Sequence, residues 1–122
     1  MSIEGKGINK NTTQREALTG LSYALEQFYG QSVEMSVLQM RVFVAIARRG
    51  RATGAELGKA LGISTPNVSR CVAVLSDIVI ARRKSEPMGL VRLEVDPLDR
   101  RVKYAVLTEK GKAFAAQLVG QF

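Results

Sequence analysis

Residues 64–70 read Ser-Thr-Pro-Asn-Val-Ser-Arg, a run of short side chains bearing hydroxyls, an amide and one guanidinium. Short donors and acceptors of this kind let a backbone come close to another surface. They match the edges of bases and the oxygens of phosphates. Arg70 has the fork to read a guanine or to neutralise a phosphate, and Ser64 at a helix N-terminus suits a phosphate oxygen. If Ser64 starts a helix, the positions left facing outward are Thr65, Pro66, Asn67, Ser69, Arg70 and Ala73. A helix face that simply meets solvent is expected to carry longer Glu and Lys side chains.

A second group lies at residues 96–101, Asp-Pro-Leu-Asp-Arg-Arg. Arg100 and Arg101 sit beside Asp96 and Asp99, whose carboxylates can orient the guanidinium groups. An arginine-bearing hairpin tip can reach a minor groove. As paired carboxylates, Asp96 and Asp99 are poor candidates for acid–base catalysis. On a solvated turn next to two arginines their pKa values are expected to be low. The rest of the chain offers no enzyme chemistry: it has no histidine, no Gly-rich phosphate loop and no G-x-S-x-G elbow. With one cysteine, Cys71, and no histidine, a Cys/His zinc site and an internal disulfide are both ruled out. Cys71 falls at a helix-packing position with no second cysteine to resolve an oxidised form, so it reads as a buried structural thiol. No cofactor is expected.

The elements that must hold these groups are marked by their caps. Thr13 and Glu16 form a T-x-x-E box ahead of Ala17, Leu18, Leu21, Leu25 and Phe28 at helical spacing, and Gly30 is expected to end that helix. Ser36 and Gln39 form a second box. The helix that follows, VLQMRVFVAIARR, is apolar on most sides and is expected to be the most buried. Gly50 stops it, with Arg48 and Arg49 near the negative end of its dipole. Thr53 and Glu56 form a third box, opening GAELGKAL, which Gly62 breaks. Ser64 caps the next helix, with Pro66 in its first turn and Val68, Val72 and Leu75 as its apolar stripe.

Two helices crossing at so tight a turn need a small residue where the backbones meet, and Gly58 supplies it. The crossing is expected to be filled by Leu57, Leu61, Ile63, Val68 and Cys71 or Val72. After it, LVRLEVD (90–96) and VKYAVLT (102–108) read as two strands joined by a polar tip. Thr108 then caps a last helix with Phe114, Leu118 and Phe122 on one face. The fold class is mainly α with a small β-hairpin: a winged helix-turn-helix. Residues 1–12 read as a flexible arm and 13–122 as one domain. Within it lie the helix-turn-helix (53–77), an insert (about 77–88), the wing hairpin (90–108) and the C-terminal helix (108–122).

The chain has 122 residues, enough for one domain with a modest core, and 46% are apolar. No apolar run approaches a membrane span, and the N-terminus lacks the apolar stretch of a secretory signal, so a cytoplasmic protein is expected. The net charge is +7, unevenly spread: residues 1–47 are neutral and residues 48–104 carry +6. A basic middle on a neutral frame suggests a polyanion-binding face.

ELGKALGISTPNVSRCVAVL followed by GLVRLEVDPLDRRVKYAVLTEKGKAF resembles the MarR family of bacterial winged-helix transcription regulators, over about residues 36–114. The block from Asp96 to Gly111 is its most specific part. The resemblance implies a two-fold dimer on double-stranded DNA, reading a pseudo-palindrome and usually acting as a repressor. The helix from Ser64 would enter the major groove, and Arg100 and Arg101 would approach the minor groove. Three departures stand out. About ten extra residues precede GLV, either lengthening the recognition helix or forming a first wing strand. They place Arg82, Arg83 and Lys84 near the presumed DNA face, as further DNA-binding candidates. Only 14 residues follow Thr108, so the family's dimer interface must be smaller, lean on the N-terminal helix and the short C-terminal helix, or be absent. With that part short, the family's small-molecule pocket has no evident place, and any effector stays unknown. Short versions with such an insert resemble proteins of phages and mobile elements. The rival reading is a winged helix that binds a protein, such as a phage factor docking on a polymerase or another regulator. Exposure of the outer face of residues 64–73 on the side of the wing arginines favours DNA; a covered face favours the rival.

Overall fold

A computed structural model describes residues 13–77 and 88–120. The expected arm (1–12), the insert residues 78–87 with Arg82, Arg83 and Lys84, and Phe122 lie outside them. Helix α1 runs Gln14–Gln31, its first turn capped by Thr13, whose hydroxyl accepts the Glu16 N–H. The helix does not end at Gly30. It continues through Gln31 to an extended cap at Ser32, whose N–H still reaches the Phe28 carbonyl. Gly30 is not among the positive-φ glycines, so it simply takes helical geometry.

Helix α2 (Val37–Arg49) opens with both halves of the Ser36–Gln39 box and stops at Gly50, with Arg48 and Arg49 in its last turn. It buries Val42, Phe43 and Ile46 fully, but Val37 and Val44 are exposed. It is therefore amphipathic and not the most buried helix: the shorter helix Thr65–Leu75 buries Val68, Cys71, Val72 and Leu75. Strand β1 (Arg51–Thr53) follows, then α3 (Gly54–Leu61) and α4 (Thr65–Leu75). The wing strands are β2 (Val91–Val95) and β3 (Lys103–Leu107), and α5 (Glu109–Leu118) closes the chain, capped by Thr108.

The sheet has the order β1-β3-β2, antiparallel throughout, with Ala105 of β3 opposite both Ala52 and Leu93. The end of α4 is tied to the base of the hairpin. Leu90 donates its N–H to the Leu75 carbonyl (2.9 Å) and Gly89 donates to that of Ser76 (3.0 Å). Residues 75–76 and 89–90 are thus held side by side.

The core joins all five helices to the sheet. Its centre is a cluster of Phe28, Phe43 and Phe114, from α1, α2 and α5, with ring centroids 5.3–6.3 Å apart. Phe43 is wholly buried and edge-on to Phe28. Leu57, Val68, Leu75, Leu90 and Val91 extend this core under the helix-turn-helix and the hairpin base. Phe43→Ala would empty a site three helices share, and should cost about 3–5 kcal/mol of stability, read as a lower denaturant midpoint.

Candidate nucleic-acid interface

The helix-turn-helix closes where backbone meets backbone. The Ile63 N–H donates to the Gly58 carbonyl (3.0 Å), and a Cβ on Gly58 would stand 2.8 Å from the Ile63 carbonyl oxygen. Gly62 takes the left-handed conformation (φ 70°) that ends α3. Ser64 then caps α4, its hydroxyl accepting the Asn67 N–H (3.3 Å). Val68, Cys71, Val72 and Leu75 point into the core. The other side of the helix is open: Ser64, Thr65, Pro66, Ser69 and Arg70 are exposed, and Asn67 and Ala73 are half-buried. Arg70 donates to the Asn67 side-chain oxygen (3.0 Å), so guanidinium and amide are presented as one hydrogen-bonded pair.

The wing tip is shaped by its two carboxylates. One Asp96 oxygen accepts the N–H groups of Leu98 (2.7 Å) and Asp99 (3.3 Å). Asp99 accepts from the backbone N–H of Arg101 and takes its guanidinium with both oxygens (3.1 and 3.2 Å). Arg101 holds Asp99 below the ordinary carboxylate range, side-chain contact first and backbone N–H second. Arg100 and Arg101 are both exposed. Between α4 and the hairpin lies a cleft of about 210 Å³ with Leu57, Val68 and Val72 inside and Ser69, Leu93 and Lys103 on its walls. Ser69 and Ala73 of α4 therefore share one concavity with the wing strands.

Two features here are not evident in the sequence. Strand β1 has only three residues, too few for any periodicity, yet it pairs the wing to the chain entering the helix-turn-helix. Arg41 of α2 donates to the Leu61 carbonyl (2.9 Å), satisfying the exposed end of α3. Cys71 is buried, as expected, and burial pushes its thiol pKa up. Among the described residues no group of His, Cys, Asp and Glu could hold a metal, and no helix is long and apolar enough to cross a membrane.

The model of the MarR family matches residues 34–77, from the start of α2 to the end of α4. Over this segment, about a third of the chain, the sequence is similar to the MarR family. Solved structures extend the likeness to the wing and the flanking helices. A transcriptional regulator from Thermotoga maritima superposes with a TM-score of 0.67 at 19% identity, covering 88% of this chain and 68% of that one. The YusO protein from Bacillus subtilis gives 0.61 at 18% identity, with the same coverage of 88% and 68%. A cysteine-to-serine mutant of MarR from E. coli, complexed with operator DNA, gives 0.58 at 23% identity over 88% and 68%. What these share with the chain is the MarR-type winged-helix fold. Among curated proteins, no sequence matches.

Two outcomes follow from the geometry. The Asp99 pKa is lowered in the folded chain, so the Asp99–Arg101 contact is present above the unfolded value and lost as pH falls through the folded one. A carboxyl titration by NMR should place Asp99 below ordinary aspartates, and Arg101→Ala should raise it toward them. The Cys71 thiol should resist a soluble thiol reagent in the native protein and react fully in denaturant; fast native labelling would contradict its burial.

Proposed function

We propose that the protein is a sequence-specific double-stranded DNA-binding transcription regulator, acting as a dimer and repressing by occupying a pseudo-palindromic site. The observation that carries this reading is the open polar side of α4, with Ser69 in one cleft with the hairpin whose tip presents Arg100 and Arg101. In this reading α4 lies in the major groove. Asn67 and Arg70 meet base edges, Ser64 and Thr65 meet phosphate at the helix N-terminus, and the wing arginines reach the adjacent minor groove. Arg82, Arg83 and Lys84 are further candidates for phosphate contacts in this reading. Such a protein works where the DNA is, in the cytoplasm.

The dimer reading rests on α1. Leu18, Leu21, Leu25 and Tyr29 are each at least half exposed and recur at spacings of three, four and four, which puts them on one face. An apolar stripe of that length suits burial against its two-fold copy. A protein of like fold, the E. coli mutant MarR, is complexed with operator DNA in its solved structure, which supports DNA as the partner in this reading.

The test is retention of a mixed pool of short duplexes at about 50 and about 200 mM salt, followed by sequencing of what is kept. An enriched pseudo-palindrome with half-sites about one helical turn apart supports the reading. No retention at either salt overturns it in favour of a protein-binding winged helix. Arg70→Ala should cost about 1–3 kcal/mol on the enriched site and relax the preference at one base pair. Arg100→Ala with Arg101→Ala should weaken all duplexes and flatten the plot of log affinity against log salt by up to about two. Leu21→Glu with Leu25→Glu should give a monomer by sedimentation and lose the preference for paired half-sites.

A further inference from the structure

Side-chain packing between the recognition helix and the hairpin does not fill the space that separates them. The cleft between α4 and the wing strands is open, and α4 rests chiefly on α2 and α3. Among the described residues, backbone hydrogen bonds tie the hairpin to the end of α4 at its base, through Leu75–Leu90 and Ser76–Gly89. Its tip stands far from that clamp, with Leu98 at 96% exposure. A second connection bears on where the tip arginines stand relative to α4.

On the other edge of the sheet, β1 pairs with β3 and runs directly into α3, since Thr53 is both the last residue of β1 and the cap of α3. Arg51, at the start of β1, lies opposite Val106, and its guanidinium reaches diagonally to sit 4.2 Å from the ring centre of Tyr104. The Tyr104 hydroxyl donates to the second Asp96 oxygen (3.3 Å). The first Asp96 oxygen holds the turn through Leu98 and Asp99, and Asp99 holds Arg101. Three side chains thus form an unbroken line from the strand that enters the helix-turn-helix to the turn that presents the arginines.

We infer that Arg51 and Tyr104 are positioning residues for DNA binding, acting through Asp96 to set the reach of Arg101 relative to α4. This rests on the DNA-binding reading above. It gives Tyr104 a purpose that the sequence pattern, which shows only an aromatic in a strand, does not reveal. Arg51 acts here by its place on the ring, so its contribution passes through Tyr104.

The experiment is a double-mutant cycle on the enriched duplex, combining Tyr104→Phe with Arg101→Ala, alongside hydrogen exchange of the free protein. Tyr104→Phe removes one hydroxyl and leaves the ring in place. It should weaken binding about two- to ten-fold, the worth of one hydrogen bond, when Arg101 is present, and have no effect in the Arg101→Ala background. Arg51→Ala should give a similar loss that does not add to that of Tyr104→Phe. In the free protein, amide exchange at Leu98 and Asp99 should quicken in Tyr104→Phe while the melting temperature holds. Equal losses in both Arg101 backgrounds would make Tyr104 a general structural residue and overturn the inference, as would unchanged affinity. If the unaltered protein binds no duplex, the DNA-binding reading falls, and the inference with it. The exchange result then shows whether the line of contacts orders the tip at all.

Discussion

The crossing of α3 over the start of α4 at Gly58 is the constraint on which the rest of the interface depends. The Ile63 carbonyl comes so close to the Gly58 Cα that no side chain fits between them. Two backbones in contact leave little room for the helices to slide or rotate. That contact sets which side of α4 faces inward, and Leu57 and Val68 then fill the space beneath it. With Val68, Cys71, Val72 and Leu75 committed to the core, the periodicity of the helix leaves Thr65, Pro66, Ser69 and Arg70 on the outside. The polar face follows from the packed one, and the packed one follows from a missing Cβ.

Negative residues at the tip of an element proposed to meet DNA look out of place until their partners are counted. Asp96 accepts two backbone N–H groups of the turn and the Tyr104 hydroxyl; Asp99 accepts one N–H and a two-point contact from Arg101. The carboxylates are occupied inside the turn, where they convert a flexible Leu-Asp-Arg-Arg sequence into a shaped one. The Asp99–Arg101 pair adds little stability at such exposure. Its value lies in orientation, since a guanidinium already fixed in place loses less freedom on meeting a phosphate or a groove.

The parts legible in the sequence were those written in local chemistry. Ser36–Gln39, Thr53–Glu56, Ser64 and Thr108 cap their helices as their residue types require, and Gly50 and Gly62 end α2 and α3 with positive φ. The hairpin strands fell within a residue of their alternating runs for the same reason. Features resting on long-range contact were not legible. Strand β1 exists because β3 lies beside it, and Arg-Ala-Thr carries no signal of that. The apolar residues of α1 share helical spacing, but only Phe28 of them is buried, against Phe43 and Phe114, while Leu18, Leu21 and Leu25 face outward. Helical spacing says that residues share a side, not what that side meets. Gly30 likewise read as a stop because glycine disfavours helix, but the Phe28 carbonyl still finds a donor at Ser32 and the helix continues past it.

Charge and apolar exposure divide along the chain in a way that matches two separate surfaces. The neutral first 47 residues contain the exposed Leu18, Leu21, Leu25, Tyr29, Val33 and Val37, whereas the +6 segment 48–104 contains the helix-turn-helix and the wing, where the exposed Leu93, Val95 and Leu98 all lie on the hairpin. A surface that pairs with its own copy gains from low charge, because like charges brought together across a two-fold axis repel. A surface that meets a polyanion gains from the opposite arrangement. One chain can serve both only if the two faces are kept apart by something rigid. The phenylalanine cluster of α1, α2 and α5 lies between them, joining the helix that bears the apolar stripe to the helices that support the recognition element. The three rings thus connect α1 to α2, on which α4 packs. In the proposed dimer, that core would link the α1 face to the placement of α4.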